Sequence, residues 1–234
     1  MQEAKEQIET NTSYMKNILI AGAGRGIGLQ IATMLHKKQK LYAISRNPTP
    51  ELTGLNAEFF QADVTDSQAS YSIPEVLHGL VYCPGSILLK PFNRLTPVEF
   101  EEDFRQNVLG AVNLIQRSLP ALKKAEGASV VLFSTVAVKT GMPFHASIAA
   151  AKGAVEGLAR SLAAELAPSK IRVNVIAPSL TDTNLAAGLL NTPEKKDAAS
   201  KRHPLGRVGT PGDMASLATF LLSDDASWIT GQVI

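Results

Sequence analysis

Short runs that are apolar at nearly every position alternate along this chain with longer stretches in which apolar residues recur every three or four places. The runs cover residues 17–21, 41–45, 58–61, 79–83, 129–134 and 171–176. Continuous apolar runs of this length mark strands buried on both faces, the signature of a parallel sheet. Helical periodicity fills residues 26–36, 97–124, 146–166 and 211–222. The alternation predicts an α/β fold with a three-layer, doubly wound parallel sheet of about seven strands, the last of them reaching Ile234. Residues 47–57 and 65–78 are too short or too broken for long helices, so two crossovers should be trimmed. Residues 180–201 carry Thr, Asn, Gly and a charged run without a firm apolar stripe, which predicts a mobile lid over a site. Residues 1–15 are polar and predict a flexible N-terminal extension ahead of one domain at 16–234.

Composition narrows the classes. With 45% hydrophobic and 19% charged residues and a net charge of +2, the chain reads as a globular protein with no call for a polyanion such as nucleic acid. Its apolar runs are too short to span a bilayer and residues 1–16 hold no signal-peptide core, so no membrane partner and a cytoplasmic location are expected. Cys83 is the single cysteine, which leaves no intrachain disulfide and no cysteine-based zinc site; no metal is expected.

The chemistry begins where the first apolar run ends. Gly22, Gly24, Arg25, Gly26, Ile27 and Gly28 form a glycine-rich turn between that run and a helical stretch marked by Ile27, Ile31 and Leu35. Glycines permit the tight turn and a close backbone approach, and the helix N-terminus offers free N–H groups to a pyrophosphate. A strand before and a helix after are the context that makes the motif a Rossmann-type dinucleotide site rather than a packing turn. After the second strand, an acid would bind the ribose 2′-OH of NAD and an arginine suits the 2′-phosphate of NADP. Ser45 and Arg46 occupy that place, and Arg25 adds a second guanidinium fork. NADP(H) is therefore the expected cofactor, with NAD(H) less favoured.

Several segments in order resemble the short-chain dehydrogenase/reductase family over residues 16–234. Ala62, Asp63 and Val64 look like its adenine-contacting segment, and Asn107 matches its structural and catalytic asparagine. Residues 131–136 resemble the strand that delivers its serine, represented here by Thr135. Pro178 and Ser179, followed by Thr183, look like the stretch bordering the nicotinamide, and Cys83, Pro84 and Gly85 stand for its Asn-Ala-Gly. The resemblance implies an oxidoreductase moving hydride between NADP(H) and a small carbonyl, alcohol or enone substrate. It also implies a homodimer or homotetramer through the helices around 97–124 and 146–166.

One departure dominates. The family places a tyrosine four residues before Lys152, and here position 148 is isoleucine, which has no proton to give. His145 lies seven residues before Lys152, close to two helical turns, and so falls on the same stripe. It is a candidate acid, or it merely starts the helix. Lys152 reads as a proton source if burial lowers its pKa, or as a residue that only holds the nicotinamide ribose. Cys83 is a candidate thiol or a packing residue. The competing reading is a sensor or partner subunit that binds NADP(H) without catalysis. The substrate pocket is expected to draw on Lys90, Phe92, residues 137–144 and the lid.

Overall fold

A computed structural model describes residues 15–234. The expected N-terminal extension therefore lies, but for Met15, outside the described residues.

Strands β1 (Asn17–Ala21), β2 (Lys40–Ser45), β3 (Ala57–Gln61), β4 (Gly79–Tyr82), β5 (Ala128–Phe133) and β6 (Ile171–Ile176) form one sheet in the order β3-β2-β1-β4-β5-β6, every pair parallel. The seventh strand is reduced to a bridge of Val233 to Val175, with Ala177 N–H donating to Ile234 O. Residues 231–234 run along β6, with Gly231 N–H donating to Val173 O, Val175 N–H to Gln232 O and Ile234 N–H to Val175 O.

Successive side chains of each strand enter opposite layers. Leu19, Leu80, Val130 and Val173 pack with α4 (Gly110–Lys124) and α6 (Ala146–Leu166). Ile18, Ile20, Val81 and Val131 pack with α1 (Gly26–Leu35) and α8 (Pro211–Leu222). Both layers contain fully buried Ile and Leu, each contributing roughly 1.5–3 kcal/mol through loss of water contact. The crossovers after β2 and β3 are indeed short: α2 (Pro50–Thr53) is a single turn, and residues 65–78 form no helix.

Two local features were not legible in the pattern. The 97–124 stretch splits into α3 (Pro97–Phe104), a π-helical turn at Arg105–Leu109, and α4. The wide turn turns Asn107 and Val108 inward, and the Tyr82 hydroxyl donates to the Gln106 carbonyl at 2.6 Å. Within residues 180–201, two segments are helical, 184–189 and 193–201. Thr183 caps a 3-10 helix at Asn184–Leu189, and Thr192, followed by Pro193, caps α7 (Pro193–Lys201); α5 (Ala137–Thr140) is a further short helix nearby. Caps and tertiary contact supply here what the missing apolar stripe does not. No helix among the described residues is long and apolar enough to cross a membrane.

Strand order reverses between β1 and β4, and the crevice outside their carboxyl ends is where α/β sheets bind ligands.

Candidate active site

Two connected cavities occupy that crevice. The smaller, about 420 Å³, is lined by the turn residues Gly22, Gly24, Arg25, Gly26, Ile27 and Gly28, by Ser45 and Arg46 after β2, and by Asp63 and Val64 after β3. Cys83, Pro84, Gly85 and Thr183 line it too, whereas Lys152, Pro178 and Ser179 of the expected cofactor set do not. The larger, about 900 Å³, is lined by Thr135, His145, Ile148, Lys152, Pro178 and Ser179 among mainly apolar neighbours. Ile27, Cys83, Gly85, Thr183 and Leu185 border both, so one elongated molecule can enter each.

The glycine turn is shaped for close approach. Gly22 has φ +77°, and a Cβ on Gly28 would lie 2.3 Å from the Gly22 carbonyl oxygen. The α1 N-terminus that follows has no side-chain cap and no acid in its first turn, so its N–H groups face the cavity uncompensated. These features fit the pyrophosphate of a dinucleotide. Arg25 is exposed at the N-cap, and Arg46 makes one long contact, 3.9 Å, with Asp63. So weak an exposed pair leaves Arg46 free to turn to a phosphate. Asp63 Oδ1 accepts from the Thr65 N–H at 2.9 Å and hydroxyl at 2.7 Å. Burial pushes its pKa up, but those two bonds and the charges of Arg46 and Arg105 outweigh it and hold the carboxyl low.

In the larger cavity Lys152 is buried, its Nζ donating to Phe133 O at 2.8 Å. Burial brings the ammonium down to about 8, against the pull of Cys83 and Asp103. The lysine thus titrates well below an ordinary lysine. Cys83 moves the other way: burial pushes its thiol up to about 12 despite Lys152, so it is neutral near pH 7. Ile148 is 5% exposed and forms part of the wall one helical turn before Lys152. No tyrosine among the described residues lines either cavity.

His145 reaches the cavity, but its Nδ1 lies 2.7 Å from Pro143 O. A carbonyl only accepts, so Nδ1 carries the hydrogen and Nε2 is the nitrogen left for a ligand. Thr135 Oγ1 accepts from the Ala137 N–H at 3.3 Å, which holds the hydroxyl at the cavity rim, whereas Ser134 turns back to Glu156 at 2.7 Å. Asn107 lines neither cavity. It is 1% exposed and stands behind Gly85, with Nδ2 bonded to Asp103 O and Ser86 Oγ and with Oδ1 unpaired.

Lys90 and Phe92 do not join the pocket as expected. Lys90 is held by Glu99 at 2.8 Å and Phe92 points to solvent. Of residues 137–144, Thr140, Met142, Pro143 and Phe144 do line it, as do Leu185, Ala186, Leu189 and Arg202 from the lid and its end. Residues that sequence reasoning missed include Arg105, Thr65, Thr49 and Gln106 beside the smaller cavity, and Ser86, Asp103 and Ser147 around the larger. None belongs to a local motif; only folding brings them to the crevice.

A family model described as enoyl-(acyl carrier protein) reductase matches residues 22–234. The chain belongs to the short-chain dehydrogenase/reductase family. Among its dehydrogenase/reductase relatives, the 3-oxoacyl-(acyl-carrier-protein) reductase MabA of Mycobacterium tuberculosis is 32% identical over 226 residues, covering 94% of this chain and 90% of MabA. Versicolorin reductase 1 of Aspergillus parasiticus is 33% identical over 248 residues, 94% of each chain. In structure, a short-chain type dehydrogenase/reductase from Mycobacterium ulcerans superposes with TM-score 0.86 at 29% identity, over 94% of this chain and 87% of the other. ElxO with NADP bound gives TM-score 0.84 at 26% identity, over 94% and 96%. The protein is a short-chain oxidoreductase by family.

Proposed function

We propose that the chain is an NADP(H)-dependent oxidoreductase that transfers hydride to or from a small carbonyl, alcohol or enone substrate at a site where Ile148 stands in the tyrosine's place. The observation that carries this is the continuity of the glycine-lined cavity with a second, mostly apolar cavity whose wall holds a buried lysine near its neutral point. NADP binding by ElxO supports the cofactor.

On this reading the turn at residues 22–28 holds the pyrophosphate, Arg25 and Arg46 take the 2′-phosphate, and Asp63 and Val64 border the adenine. The cofactor, when bound, supplies or accepts the hydride. Thr135 polarises the substrate oxygen. Lys152, cationic below about pH 8, places positive charge at the cavity floor and holds a proton there. His145 offers only Nε2, and acts as an acid only as imidazolium.

Arg46→Ala is expected to weaken NADPH binding at least tenfold more than NADH binding, because only NADPH carries the dianion a guanidinium grips. Fluorescence titration with both nucleotides checks this, and equal losses would overturn the phosphate assignment. Ile148→Tyr is expected to speed carbonyl reduction by about a hundredfold, the scale of one positioned general acid. The larger cavity has room for the phenol. An unchanged rate would mean that position 148 is not where the proton enters.

The buried, aprotic Ile148 also favours a second reading, an NADP(H)-binding sensor or partner subunit with little chemistry. Nucleotide binding with no turnover across ketones, aldehydes and enones, in the parent chain and in Ile148→Tyr alike, would select it. A homodimer or homotetramer through α3, α4 and α6 belongs to the same proposal; Phe104 and Leu109 on that surface remain exposed in the single chain.

A further inference from the structure

Asp103 is a buried carboxylate beside the larger cavity that the proposed chemistry leaves without a task. It is 3% exposed. Oδ1 accepts from Ser86 Oγ at 2.5 Å and Oδ2 from Ser147 Oγ at 2.6 Å. Both oxygens accept, the pattern of an ionised group, yet neither partner brings a positive charge. Burying an anion on hydroxyls alone is costly unless a cation stands close enough to share its field.

The cation is reached through Asn107. Its Nδ2 donates to Ser86 Oγ at 3.0 Å and to the Asp103 carbonyl at 2.8 Å. Its unpaired Oδ1 and the Lys152 Nζ lie 3.2 and 3.5 Å from the point where a Cβ on Gly85 would stand. Carboxylate, hydroxyl, amide and ammonium thus follow one another beneath the cavity floor, and Ser86 and Lys152 both reach its surface.

We propose that Asp103 is a positioning residue of this site, whose buried carboxylate, held by Ser86 and Ser147, keeps Lys152 in its ammonium form across the Asn107–Gly85 wall. Other groups near Lys152 do not supply this charge. Cys83, at the end of β4, is a neutral thiol, and β5 presents only the Phe133 carbonyl. On α6 itself, Glu156 is engaged by Ser134 at 2.7 Å and by Arg160 at 3.3 Å. His145, from the loop before α6, is bonded to Pro143 O and brings no negative charge. Cys83 and Asp103 both oppose the effect of burial on Lys152, and of the two only Asp103 is an anion while the Cys83 thiol keeps its proton. The dual serine clamp also fixes α3 to the β4 loop on one side and to α6 on the other.

The bearing of this on catalysis rests on the oxidoreductase reading, but the coupling does not, and it is measured on the chain without nucleotide or substrate. Unfolding free energies of the parent chain and Lys152→Met, compared from pH 6 to 11, give the pH at which folded Lys152 loses its proton. The comparison is repeated with Asp103→Asn in both. The midpoint is expected to fall by about one pH unit, the lower end of what one close charge does. Asp103→Glu, which keeps the charge, is expected to leave it near the parent value. If Asp103 only packs, Asp103→Asn lowers stability at every pH and the midpoint stays put; that result, or an equal fall with Asp103→Glu, overturns the proposal. Should Asp103→Asn not fold, Asp103→Thr removes the same charge with a small polar side chain. A chain that bound no NADPH but showed the shift would lose the oxidoreductase reading and keep this one.

Discussion

Gly28→Ala is expected to abolish measurable NADPH binding, at least a hundredfold loss, while costing the fold roughly 1–3 kcal/mol through overpacking. Alanine is ordinarily the better helix former by about 1 kcal/mol, so propensity alone predicts a gain. Geometry reverses the sign. The added Cβ would sit 2.3 Å from the Gly22 carbonyl oxygen and 3.3 Å from the Ala23 Cα, both backbone, so no side-chain rotation relieves the clash. Either the turn or the α1 N-terminus has to move, and both present the N–H groups that a pyrophosphate needs. Fluorescence titration with NADPH and urea unfolding report the two effects separately. Parent-like affinity in this variant would show that the turn does not hold the nucleotide.

Lys152→Met is expected to abolish turnover and, at pH 7, to stabilise the chain by about 2 kcal/mol. Lys152 is 8% exposed, and its folded pKa of about 8 lies below the ordinary 10.5. That depression corresponds to about 3 kcal/mol of destabilisation by the buried charge, from which about 1 kcal/mol is recovered in the hydrogen bond to Phe133 O. The sign follows from proton counting. Between about pH 8 and 10.5 the unfolded chain keeps the lysine proton and the folded chain has released it, so raising the pH stabilises the parent across that window. Methionine has no such dependence. The advantage of Lys152→Met should therefore shrink above pH 8 and reverse above pH 10.5, where only the lost hydrogen bond remains. A pH-independent difference in chemical denaturation would mean that Lys152 is not the buried, depressed cation described above.

The opposing values at Cys83 and Lys152 illustrate what one environment does to two acids. Burial penalises the charged form of each, raising the thiol and lowering the ammonium. The pair sits as neutral thiol and titratable amine, so of the two only the lysine changes charge near pH 8.

Much of the lining of the smaller cavity was legible residue by residue. The turn at 22–28, Ser45 and Arg46, Asp63 and Val64, and residues 83–85 all line the smaller cavity, since each closes an apolar run and a parallel sheet collects its strand ends on one edge. Local pattern alone therefore determined the sheet, its two helical layers, the glycine turn, and the absence of a proton at position 148. Tertiary structure decided the rest. It set Asn107 behind Gly85 through a π-helical turn that no periodicity announces, ordered residues 184–201 by threonine caps, and withdrew Lys90 to Glu99. It also brought Ser86, Asp103 and Ser147 together, residues far apart in sequence whose hydrogen bonds form only when α3, α6 and the β4 loop meet. Sequence spacing encodes which face of an element a residue occupies; a pKa and a buried hydrogen bond depend on what other elements deliver to that face, which spacing does not contain.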